Sequence, residues 1–341
     1  MLDQATYLEN RHLEKMMIQQ KNDTPKALIL GATGGIGREV THQLSKAGWL
    51  INALKRGAYH PTENDNITWF QGDALNQADV EAAAQGCCVI LHGVNPPGYK
   101  HWEDLVLPML NNTIAVAKKI GACIILPGTV YNYGPDAFPL LNELSLQNPV
   151  TKKGQIRVEM ERRLQDFSEQ GGQVIIVRAG DFFGPNAANN WFSQGLIKPN
   201  KPVKNIKNPS TTNVGHQWAY LPDVAATMLK LIETRHTLDA FATFHMSGFW
   251  DQDGTQMAKA IRRVVEKHTR KAPNISVFPW WLMPLIAPFN ETLREMMEMK
   301  YLWQQPIRMN NSKLLAQLGE EPTTPIDQAV ENTLKGLGCL P

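Results

Sequence analysis

Residues 26–47 constrain this chain more than any other segment. Lys26–Gly31 (KALILG) is a short apolar run that ends in glycine, and Gly35–Ala47 (GIGREVTHQLSKA) spaces Ile36, Val40 and Leu44 four residues apart. The first pattern is that of a buried strand and the second that of an amphipathic helix. They meet at Gly31-Ala-Thr33-Gly34-Gly35-Ile36-Gly37. The start of a helix offers unpaired backbone N–H groups and a partial positive charge, and glycine keeps side chains out of an anion's path. A strand, a glycine loop and a helix in that order predict a pyrophosphate cradle, the alternative being a plain structural turn.

The same rhythm continues downstream. Apolar runs at Trp49–Leu54, Ile67–Phe70, Cys88–His92, Ala122–Leu126 and Gln173–Arg178 alternate with helical patterns near 77–84, 103–119 and 152–169. Right-handed crossovers turn such a series into a parallel sheet covered on both faces, so the expected class is α/β, a Rossmann-type doubly wound sheet. A helix at Leu221–Thr234 and a last strand at Ala242–Met246 extend it. The expected organisation is an N-terminal tail (1–24), a dinucleotide-binding domain (25–180 plus about 214–247) and a smaller, mostly helical substrate-side domain (181–213 and 248–341).

Composition excludes several classes. With 43% hydrophobic and 19% charged residues and a formal charge of +2, the chain resembles neither a disordered protein nor a nucleic-acid binder. The longest uncharged stretch, Ala272–Asn290, is broken by Pro273, Pro279, Pro284 and Pro288, so a membrane span is not expected. Four cysteines (Cys87, Cys88, Cys123, Cys339) without a C-x-x-C pair predict no disulfide framework and no metal site. They fit a reducing, cytoplasmic setting, and a small molecule is the expected partner.

Charge also bears on the cofactor. An NAD site carries an acid at the end of the second strand for the ribose 2′-hydroxyl, whereas a 2′-phosphate needs cations. The sequence there is Asn52-Ala-Leu-Lys55-Arg56-Gly, without an acid. Lys55 and Arg56, with Arg38 as a further candidate, favour NADP over NAD; solvated loop residues are the alternative.

The G-x-x-G-x-x-G spacing with Thr33 resembles the fingerprint of the extended and atypical short-chain dehydrogenase/reductases, of NAD-dependent epimerase/dehydratase type, and the resemblance covers roughly residues 26–250. It implies Asp73 and Ala74 (Gln71-Gly-Asp-Ala) beside the adenine, Asp73 being alternatively a helix cap. It also implies that Gly93 and Val94 (His92-Gly-Val-Asn95) let the adenine ribose pass, and that Gly180 (Arg178-Ala-Gly-Asp181) turns beside the nicotinamide. Trp218-Ala-Tyr220-Leu-Pro-Asp223 matches a later family stretch in which Asp223 reads as a helix cap. Lysines 198, 201, 204 and 207 read as a solvated basic loop or, less readily, a contact for an anionic substrate.

The catalytic pattern is incomplete. The family resemblance assigns Thr129 (Pro127-Gly-Thr129-Val-Tyr131-Asn-Tyr133-Gly) to the hydroxyl that holds the substrate oxygen. In Lys153-Gly-Gln-Ile-Arg157 the same register puts Arg157 where the family has its lysine and Lys153 where it has its tyrosine. Arginine keeps its proton at neutral pH, so Arg157 suits ribose binding only. Lys153, Tyr131 and Tyr133 remain candidates for moving the proton, a solvated Lys153 being the alternative. The expectation is an NADP-dependent oxidoreductase or epimerase-like enzyme acting on a small carbonyl or alcohol. A non-catalytic cofactor-binding sensor is the alternative, a structural scaffold is a weaker third, and a homodimer through the helices after Trp102 and Thr151 fits the resemblance.

Overall fold

The computed structural model describes residues 24–57, 66–96, 101–187, 190–287, 294 and 297–340. The tail anticipated over 1–24 therefore lies, except for Thr24, outside the described residues. Seven parallel strands form the central sheet: β1 (Lys26–Leu30), β2 (Leu50–Lys55), β3 (Ile67–Gln71), β4 (Val89–His92), β5 (Cys123–Gly128), β6 (Gln173–Arg178) and β7 (Phe241–His245). Their spatial order is 3-2-1-4-5-6-7, so the direction of winding reverses between β1 and β4. The anticipated α/β, doubly wound Rossmann-type sheet is the observed class.

Strand β1 shows why the sheet needs cover on both sides. Side chains alternate across a strand. Ala27 and Ile29 enter one apolar core with Val40 and Leu44 of α1 (Gly35–Lys46), while Leu28 and Leu30 enter the other. That second core is closed by α2 (Gln77–Ala83), α3 (Trp102–Ile120) and α4 (Lys152–Glu169). Helix α5 (Leu221–Glu233) lies beside α1 and contributes Val224, Met228 and Leu231 to the first core. Helix α3 starts with Glu103 and Asp104 and ends with Lys118, Lys119 and Gly121, charges that complement its dipole at both ends.

The smaller body combines helices with short strands. Strand 216–220 sits between 181–183 and 249–251, 205–208 pairs with 274–277, and 140–141 pairs with 308–309. Helices α6 (Gln256–Thr269) and α8 (Ile326–Gly336) pack together over an aromatic-rich core that includes Phe183, Trp191, Trp218 and Trp303. Strand 216–220 divides its side chains, Trp218 and Tyr220 entering this core and Ala219 the α1-side core of the central sheet. Helix α7 (Ser312–Leu318) likewise sends Leu314 into that α1-side core. Among the described residues, no helix is long and apolar enough to cross a membrane.

Candidate cofactor and substrate cleft

A cleft of about 540 Å³ opens at the carboxyl ends of the central strands, where β1 gives way to β4. Doubly wound sheets bind their ligands at that switch point. Gly31 has φ +87, and a Cβ there would stand 2.6 Å from the Gly93 carbonyl oxygen. A Cβ on Gly37 would overlap the Gly31 carbonyl oxygen. Both glycines are thus needed for the loop to fold over the start of α1 and against β4. The loop closes through Gly34 N–H donating to Gly31 O at 2.9 Å, and α1 carries no acid in its first turn. Gly31, Thr33, Gly34, Gly35 and Ile36 line the cleft. An anion fits this cradle because donors and the helix dipole face it and no side chain fills it.

At one end of the cleft stand Lys55, the last residue of β2, and Arg56 after it, with Asp73 and Ala74 after β3. Asp73 builds its own turn, its Oδ1 accepting from Leu75 N–H at 3.0 Å. The cap of α2 is Asn76, whose Oδ1 accepts from Ala78 N–H at 3.1 Å, so the capping role considered for Asp73 belongs to Asn76. Gly93 and Val94 form part of the wall between the two ends.

The other end holds Pro127, Thr129 and Arg157, faced by Phe182, Ala187, Asn190 and Leu221 from the second body and its boundary. The Arg157 guanidinium lies 5.2 Å from the Trp102 ring centroid. The loop carrying Thr129 is anchored from below. Arg178 donates to the Thr129 carbonyl oxygen at 2.9 Å and pairs with Glu161 at 2.8 Å, and both side chains are buried. Arg178 Nε also donates to His245 Nε2 at 3.2 Å, and the Tyr133 hydroxyl approaches the same nitrogen at 3.1 Å. Burial, with the Arg178 charge adding to it, lowers the His245 pKa to about 3. Its Nε2 is therefore a bare acceptor, and Tyr133 is the donor of that bond.

Several anticipated site residues are not among those lining the cleft. Tyr133 is fully buried, and burial pushes its phenol up to about 12. Tyr131 packs beside Met299 and Leu302. Lys153 is 2% exposed, which removes the reading of a solvated helix residue. Its ammonium lies 2.6 Å from Glu298 Oε2, and the other Glu298 oxygen accepts Lys152 N–H at 2.7 Å. One turn separates Lys153 from Arg157 on the same helix face, yet only Arg157 reaches the wall. A Cβ on Gly180 would overlap the Gln217 carbonyl oxygen, so this glycine admits the neighbouring strand. Arg38 points to solvent from α1, and Gly37 serves the loop from beneath.

Residues outside the expected set complete the picture. His92, the last residue of β4, lines the cleft, as do Asn95 and Asn190. His216 stacks on Trp303 with ring centroids 3.7 Å apart and bonds Asp181 at 2.7 Å, so it belongs to the aromatic core. Asp223 is a structural residue, though its carboxylate is not the cap of α5: it binds the Thr324 N–H at 2.8 Å and hydroxyl at 2.7 Å. Lysines 198, 201, 204 and 207 are exposed.

Known proteins match this architecture. The model of the NAD dependent epimerase/dehydratase family matches residues 27–246. A Synechocystis protein named "putative dihydroflavonol 4-reductase" is 24% identical over 313 residues, 88% of this chain and 82% of the relative. A 2-alkyl-3-oxoalkanoate reductase of Shewanella oneidensis is 32% identical over 97 residues, 28% of this chain and 24% of that protein. The structure of a UDP-glucuronic acid 4-epimerase from Bacillus cereus in complex with NAD superposes with a TM-score of 0.69 at 18% identity, covering 92% of this chain and 98% of that one. The chain belongs to the NAD dependent epimerase/dehydratase family.

Proposed function

We propose that this protein is an NADP-dependent oxidoreductase that interconverts a carbonyl and an alcohol on a small organic substrate. The observation that carries the reading is the order of groups along the cleft: Lys55 and Arg56 at one end, the glycine cradle in the middle, Thr129 and Arg157 at the other. The cradle holds the pyrophosphate, the two cations take the 2′-phosphate, and Arg157 faces the ribose beyond. When bound, the nicotinamide cofactor supplies or accepts the hydride.

The protein's own part is binding, orientation and proton handling. Thr129 Oγ accepts the Tyr131 N–H at 3.3 Å and keeps its O–H to donate to a substrate oxygen. With Tyr133 bound to His245 and Lys153 paired to Glu298, we assign the proton path to water acting through the Thr129 hydroxyl. Leu105, Met109, Phe182, Ala187 and Leu221 give the wall an apolar character, which supports an apolar carbonyl compound over a sugar nucleotide. Free cysteines support a cytoplasmic setting, and α3 and α4, which lie side by side, are the surface we propose for a homodimer.

The test is reduction of a panel of aldehydes and ketones with NADPH. Turnover that falls in Thr129→Ala and returns in Thr129→Ser supports the reading. A second reading, a cofactor-binding sensor without turnover, is favoured by Lys153 standing at the tyrosine register in a buried ion pair. Tight NADPH binding without reduction of any substrate, joined to a partner protein held in one cofactor state only, would establish it.

A further inference from the structure

We infer that His92 positions the nicotinamide-side ribose of the bound dinucleotide by accepting a hydroxyl hydrogen bond at its Nε2. The inference rests on the cofactor reading above and goes beyond it by assigning a side chain, a tautomer and a ligand atom.

Hydrogen bonding sets the tautomer. His92 Nδ1 lies 2.8 Å from Thr113 Oγ1. The Thr113 hydroxyl has a single proton, and its oxygen lies 3.1 Å from the Met109 carbonyl, to which it donates along α3. Thr113 therefore meets the ring with a lone pair, and the imidazole hydrogen sits on Nδ1. That leaves Nε2 as a bare acceptor.

Nothing in the described structure satisfies this nitrogen. His92 is 2% exposed, its Nε2 has no hydrogen-bond partner, and the residue lines the cleft. Burial first, and the Arg157 charge second, lower the ring's pKa to about 3, so it stays neutral at physiological pH. A buried acceptor without a donor is costly, which makes the site ready for a ligand O–H or N–H. The Arg157 charge disfavours a cationic donor, so a neutral O–H or N–H remains.

Position selects a hydroxyl. Gly93, the next residue, is in close contact with Gly31 of the phosphate cradle, while Arg157 acts on the ring electrostatically. His92 thus stands between the pyrophosphate and Arg157. The sugar on the nicotinamide side of a bound dinucleotide would occupy that interval.

The experiment uses the full chain labelled with ¹⁵N-histidine, the His92 signals being identified among nine histidines by their loss in His92→Leu. Long-range ¹⁵N–¹H correlation on the free protein should show the Nδ1–H tautomer. NADPH should move the Nε2 resonance upfield, in the direction of an accepted hydrogen bond. Adenosine 2′,5′-bisphosphate, which lacks the nicotinamide ribose, should leave it in place. Thr113→Val should release the tautomer and weaken NADPH about tenfold while sparing the bisphosphate. An Nε2–H tautomer, an unmoved Nε2 in protein whose tryptophan quenching shows NADPH bound, or equal shifts with both nucleotides would overturn the inference. Absence of any NADPH quenching would instead remove the cofactor reading beneath it.

Discussion

Replacing Glu298 with glutamine should destabilise the protein by about 2–3 kcal/mol. Removing one partner of a buried ion pair costs roughly 3–5 kcal/mol because the other charge stays behind in a poor solvent. Here Lys153 is only 2% exposed while the Glu298 side chain is 26% exposed, so water offsets part of the loss and brings it to the low end of that range or just below. Glutamine also has one acceptor oxygen for two donors, the Lys153 ammonium and the Lys152 N–H. Lys153→Met should cost less, about 1–2 kcal/mol, since Glu298 keeps the Lys152 bond and partial hydration. The double variant should recover about 1–2 kcal/mol relative to the sum, the signature of direct coupling. Urea midpoints read by fluorescence and circular dichroism measure all four proteins. A Glu298→Gln midpoint within about 0.5 kcal/mol of the parent would refute the reasoning.

Three further outcomes follow from the same geometry. Lys55→Ala with Arg56→Ala should weaken NADPH by about 2–4 kcal/mol, read by calorimetry, while NADH changes little. Gly31→Ala should abolish nucleotide binding, because a Cβ there meets the Gly93 carbonyl oxygen at 2.6 Å in a left-handed backbone conformation; unchanged affinity would remove the cradle. Acid should destabilise the fold through two buried histidines whose folded pKa values lie near 3 for both His92 and His245. Between pH ~6.5 and ~3 the unfolded state binds more protons, so each neutral imidazole contributes stability that is complete above ~6.5 and lost at about 1.4 kcal/mol per pH unit as pH falls. The His245→Gln variant should flatten the slope of stability against pH over that window.

The central sheet was legible because its signals are local. An apolar run, a glycine loop and a four-residue stripe at 26–47 each report backbone behaviour within a few residues. The cleft lined by Gly31, Thr33 to Ile36, Lys55, Arg56, Asp73, Ala74, Gly93, Val94, Thr129 and Arg157 followed for the same reason: strand ends gather at one edge of a parallel sheet. What sequence spacing hides is long-range pairing. Lys153 meets a glutamate 145 positions away, Tyr133 meets a histidine 112 away, and no periodicity near either residue announces the partner. Gly180 followed the family pattern but serves a strand contact with Gln217. His92 ends the fourth strand in the sequence pattern as well, yet only the Thr113 bond reveals which of its nitrogens is left unpaired.

Titrating the purified protein with NADPH and then NADH, followed by quenching of its nine tryptophans, tests the central claim most directly. The account predicts saturable binding of both nucleotides with NADPH at least about tenfold tighter, a difference lost when Lys55 and Arg56 become alanine. Absence of binding by either nucleotide would contradict it, leaving the glycine loop a structural turn; equal affinities would retain the cradle and remove the assignment of Lys55 and Arg56 to a 2′-phosphate.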